Sequence, residues 1–147
     1  MKKIRKKPNW EEKHFEFLLA NKDRPFEWGK WDCILFCNAY MKQITGTDVL
    51  KGDKDLNKWK SEEEAMKAIK DYGKILSKAI ARRVEMFDFV EIPKNRFNFL
   101  QKGDLVVYKE ESELTGIFDG SNFLGPGSDG IKLNNSVKIV KAWRCNG

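Results

Sequence analysis

The chain has 147 residues, a length that fits one domain and leaves little room for a second. Apolar residues make up 41% and aromatic residues 12%, which excludes a disordered chain, and no uninterrupted apolar stretch approaches the roughly 20 residues that span a bilayer. The formal net charge of +6 is concentrated at the start: Lys2, Lys3, Arg5, Lys6 and Lys7 precede Pro8, and subtracting these five from 28 basic residues leaves 23 against 22 acidic ones.

That basic run reads as an arm, residues 1–8, ahead of a single domain over 9–147. It suits an acidic partner or nucleic acid held by counterion release, or it is a solvated, frayed terminus. No apolar segment follows it, so export by a secretory signal is not expected. Asn9 is an N-cap candidate for a helix from Trp10 to about Asn21, with Glu11 and Glu12 where the helix dipole favours negative charge. Its stripe of Trp10, Phe17 and Leu18 is blurred by Phe15 and Leu19. The clearest helix follows: Asp32 caps it, Cys33, Phe36, Cys37, Tyr40, Met41 and Ile44 keep helical spacing, and Gly46 stands at the stop. Ser61 to Glu64 is a capping box for a third helix that carries Ala65, Ala68, Ile69 and Tyr72 and ends at Gly73. Residues 75–84 predict a fourth.

After Phe87 the pattern changes. Segments 88–92, 104–108, 116–119, 131–133 and 137–143 predict short strands, punctuated by glycines and by Asn134-Asn135. The stretch 123–131, Phe-Leu-Gly-Pro-Gly-Ser-Asp-Gly-Ile, lacks the ending of a phosphate cradle and reads as a turn. Helices first and antiparallel strands afterwards make an α+β domain, with the N-terminal helices packed on a small C-terminal sheet.

The chemistry concentrates at Cys33. A cysteine at the first position of a capped helix meets free backbone N–H groups and the positive dipole end, which favour a thiolate and can hold an oxyanion. The competing reading is a small buried hydrophobe on the core face of that helix. Trp28 and Trp31 are candidate walls of a cleft beside Asp32, and Trp143 is a further candidate binding residue. The lone histidine, His14, is a candidate base or simply a surface residue. Asp32 and Asp104 are better explained as cap and turn residues. The five tryptophans suit nucleic-acid stacking or, since they sit in unrelated segments, core and interface packing. Three cysteines, Cys33, Cys37 and Cys145, give no disulfide framework and are expected as reduced thiols; no metal site or cofactor is expected.

Phe26-x-Trp28-Gly29-x-x-Asp32-Cys33 resembles the nucleophile segment of NlpC-type papain-like peptidases. Gly103 to Tyr108 is similar to their Gly-Asp-Leu-Val strand, and Thr115-Gly116-Ile117-Phe118-x-Gly120 to the Gly-Ile strand after it. Those enzymes carry their histidine just before the Gly-Ile pair, where this chain has Leu114-Thr115. A closer resemblance is to a family of small phage and prophage proteins of unassigned function. It runs in order through residues 24–33, 45–48, 103–105, 116–120, 125–130 and Ala142-Trp143-Arg144. The resemblance implies a papain-like fold with Cys33 as the nucleophile position. It further implies a structural or assembly role among phage tail proteins, in the host cytoplasm and then the virion tail. Alternatives are an active cysteine amidase or endopeptidase on peptidoglycan peptides, with His14 as base, and a small nucleic-acid or host-protein binder.

Overall fold

The computed structural model describes residues 3–52 and 58–146. Among the described residues four α-helices come first: α1 (Trp10–Asn21), α2 (Cys33–Thr45), α3 (Glu62–Gly73) and α4 (Leu76–Glu85). Six strands follow: β1 (Val90–Glu91), β2 (Leu105–Lys109), β3 (Glu113–Phe118), β4 (Phe123–Gly127), β5 (Gly130–Asn134) and β6 (Lys138–Arg144). They form one antiparallel sheet in the order β1-β6-β2-β3-β4-β5. The protein is therefore α+β, as the sequence pattern requires. No described helix is long and apolar enough to cross a membrane.

The caps act largely as the sequence dictates. Asp32 accepts from the Leu35 N–H, and Gly46 closes α2 with a left-handed φ of 80°, its N–H donating to the Lys42 carbonyl. Ser61 accepts from the Glu64 N–H to open α3. Asn9 differs: it flanks α1 but its side chain makes no capping bond.

The core explains why α2 is central. Phe36, Tyr40, Met41 and Ile44 are buried on it, and it lies against α1 on one side and against β3 and β4 on the other. Leu105, Val107, Ile117, Leu124 and Trp143 face this helical layer. The opposite sheet face buries Ile92, Val106, Tyr108, Phe123 and Ala142 beneath Phe97 and Leu100, in and after a 3-10 helix over Lys94–Phe99 that the sequence does not predict. With both faces covered, β2 reads as a continuous apolar run rather than an alternating one. The register between β2 and β6 shifts after Val107, so that Val140 is the extra residue of a bulge.

Three expectations change. The segment 123–131 is not simply a turn: it contains β4, a two-residue turn at Ser128 and Asp129, and the start of β5. Pro126 is tolerated there because its partner Ile131 sends its N–H outward to the Lys22 carbonyl (3.0 Å), so this pair needs no N–H from proline. The strand expected over 116–119 begins earlier, at Glu113, and that expected over 88–92 shrinks to Val90–Glu91. Residues 3–8 are not frayed. Ile4 is buried, Arg5 bridges Asn146, the Lys6 N–H reaches the Asn146 carbonyl (2.8 Å) and the Lys7 N–H reaches the Ile44 carbonyl (2.8 Å). An apolar residue within a charged run gives the arm something to bury.

Candidate functional site

Asp32 organises the start of α2. It is buried, and its carboxylate accepts three hydrogen bonds: from the Leu35 N–H (3.0 Å), the Gly29 N–H (3.1 Å) and the Trp59 indole N–H (2.6 Å). Gly29 has φ +79°, and a Cβ there would collide with the Trp59 carbonyl oxygen. Gly29, Asp32 and Trp59 thus form one interlocked turn that aims Cys33 at the sheet. Trp59 gives no sequence signal for this role; it lies 27 residues beyond Asp32 and is brought there by packing.

Cys33 is half-buried, and its thiol meets β3 at Thr115. Burial pushes its pKa up to about 11. The backbone N–H groups of Thr115, Ile34 and Cys33 act the other way, and the Asp32 carboxylate adds to the rise. The helix N-terminus is therefore present, but desolvation outweighs it and the thiol stays protonated at neutral pH. The Thr115 hydroxyl donates to the Val106 carbonyl (2.9 Å) and touches the Cys37 sulfur (3.8 Å). Burial also pushes the Cys37 thiol well up, and Cys33 beside it adds to this. Each of the three cysteines is a free thiol.

His14 lies elsewhere. It is buried in the α1–α2 contact, where its Nδ1 shares a 2.6 Å hydrogen bond with the Tyr40 hydroxyl and its ring stands edge-on to Tyr40. Tyr40 is seven residues beyond Cys33, about 10 Å along the helix axis. Burial lowers the His14 pKa and raises that of Tyr40, so both are neutral at pH 7. The structure joins Asp32 to Cys33 and does not bring His14 to them.

The tryptophans sort by burial. Trp31 is 3% exposed, packed on Phe17 and Phe36, with the Arg24 guanidinium 4.0 Å over its ring. Trp143 is fully buried, so neither it nor Trp31 presents a face to a partner. Trp28 is half-buried and edge-on to Phe26. Asp104 is fully buried: Arg144 grips it with two hydrogen bonds (2.9 and 2.8 Å), and the Gln101 N–H adds a third (2.7 Å). The Gly-Asp before β2 and the Trp-Arg ending β6 are thereby one structural clasp. Among the described residues no group of three or more histidine, cysteine, aspartate or glutamate side chains is placed to hold a metal ion.

Comparison with curated proteins finds no match. A family model does match, over residues 5–145, nearly the whole of the fold described above. The chain belongs to that family, a domain of unknown function designated DUF6950.

Proposed function

We propose that this domain is a non-catalytic relative of NlpC-type papain-like peptidases, serving as a protein-binding structural or assembly component of a phage tail. The observation that carries the non-catalytic part is the contact of the Cys33 thiol with Thr115. In the peptidases the strand residue before Gly-Ile is the histidine base; here it is a threonine whose hydroxyl is committed to the Val106 carbonyl. A thiol held up to about 11, with His14 bonded to Tyr40 instead, is a poor nucleophile at pH 7. The tail role rests on the ordered likeness to small phage and prophage proteins. The motifs shared with them include structural fixtures: the Asp32 cap with Gly29, and the Asp104–Arg144 clasp. Selection for the fold alone accounts for such residues.

The test is the pH dependence of alkylation at each cysteine by mass spectrometry, together with Cys33→Ala. We expect Cys33 to react slowly at pH 7 and to gain reactivity only near pH 11, and the variant to co-elute with tail proteins as the wild type does. Fast alkylation of Cys33 at neutral pH, with peptide cleavage lost in Cys33→Ala, would instead establish a cysteine hydrolase.

A further inference from the structure

A groove of about 530 Å³ runs between α1 and α2, away from the Cys33 thiol, and four cations line it: Lys7, Lys13, Arg24 and Lys42. Among the described residues no carboxylate lines it, and only Lys13 has an ion-pair partner, Glu16 at 3.2 Å. The gathering depends on the fold. Lys13 and Arg24 come from α1 and the loop after it, Lys42 from the last turn of α2, and Lys7 from the folded-down arm. Gly46 lets the Lys7 stem pass: a Cβ there would lie 3.1 Å from Lys7 Cε. Part of this charge has a local use, since cations at the end of α2 complement its dipole. Lys42 alone would satisfy that; Arg24 lies at the other end of the groove, over the Trp31 ring that precedes the start of α2, and cannot contribute.

We infer that this groove binds a short acidic segment of a partner protein. From Lys13 to Asn21 the α1 wall spans eight residues, about 12 Å. That matches three to four residues of extended peptide at about 3.4 Å each. Gln43 adds an amide to the same lining, suited to a peptide backbone, while the Asn21 amide N–H donates to the Phe17 carbonyl (2.9 Å). A single-stranded nucleic acid fits less well. The aromatic residues of the groove, Phe17 and Trp31, are buried, and Arg24 covers the Trp31 ring, so no open face remains for base stacking. The inference deepens the protein-binding reading proposed above and rests on it only in taking the ligand to be a protein.

The probe is an octaglutamate peptide, titrated calorimetrically at about 50 mM salt, where surface charge is least screened. Wild type should bind it, and Lys7→Glu/Lys42→Glu should weaken binding at least tenfold. Lys78→Glu/Lys109→Glu carries the same charge change on exposed positions outside the groove and should leave affinity within about twofold. Arg24→Gln provides a second groove variant should the double substitution impair folding by circular dichroism, and it should weaken binding severalfold. No octaglutamate binding, equal weakening by both double variants, or tighter binding of a nine-nucleotide oligothymidylate through the same residues would overturn the inference. If tail proteins co-elute equally with wild type and the groove variants, the groove inference falls and the assembly role stands. If octaglutamate binds in the groove but no tail protein co-elutes, the assembly role falls and the groove stands.

Discussion

His14 ties acid stability to one buried ring. Burial lowers its pKa below the ordinary 6.5; Lys102 nearby lowers it further, while Asp119 and Glu11 pull weakly upward. A base whose folded pKa is depressed stabilises the fold above its unfolded pKa, and that contribution is lost as pH falls below about 6.5. One such proton gives a slope of at most about 1.4 kcal/mol per pH unit. His14→Gln should therefore unfold with a shallower dependence on pH between 7 and 5 than the wild type, whatever its absolute stability. Equal slopes in urea titrations would show that folding does not lower the His14 pKa. Its burial was not legible in the sequence. The stripe on α1 is blurred because Phe15 and Leu19 are exposed while His14 and Phe17, one turn apart, share the inner face. A polar residue taking a core position reverses the usual expectation, and the hydrogen bond to the Tyr40 hydroxyl, 26 residues away, offsets the cost of burying it.

At the scale of elements, the start of α2 was the most legible feature and its surroundings the least. The Asp32 cap, the first helical position of Cys33 and the Gly46 stop follow from local rules alone. Two things do not: that Trp59 would donate to Asp32, and that β3 would press Thr115 against Cys33. Both are contacts between distant segments. The missed β4 has a related cause, for glycine and proline at 125–127 signal a turn unless the partner strand supplies a register that spares the proline N–H. The interlocked turn makes a sharp prediction. Asp32→Ala removes an N-cap and leaves the buried Trp59 indole N–H without its acceptor, so it should cost about 2–4 kcal/mol in denaturant unfolding. Asp32→Asn retains one amide oxygen for the Leu35 cap and should cost less. A loss below about 1 kcal/mol for the alanine variant would mean that the turn is held by packing instead.

For the whole molecule, the closure of the two ends matters more than their charge. A run of five cations before Pro8 invites removal as a dispensable tail, yet the structure threads its described part, residues 3–7, between the C-terminal segment and the helical layer. Ile4 is 4% exposed, Arg5 bridges Asn146, and the buried Cys145 thiol lies beneath the Ile4 carbonyl. Lys6 is itself engaged, its ammonium 4.4 Å from the Trp10 ring centre, with burial lowering its pKa. Deleting residues 1–7 should therefore destabilise the fold by at least the burial of Ile4. An isoleucine-to-alanine change in a core costs about 2–5 kcal/mol. At about 2–4 °C per kcal/mol for a domain of this size, the melting temperature should fall by about 4 °C or more. Ile4→Ala should reproduce most of that fall, whereas Lys3→Gln/Arg5→Gln, which removes charge and leaves Ile4, should produce little of it. Unchanged melting of the deletion variant would mean that the arm is an appendage after all. The same series protects any binding experiment: loss of a partner on deletion reports the charge of the arm only if the charge-neutralised variant, still folded, loses it too.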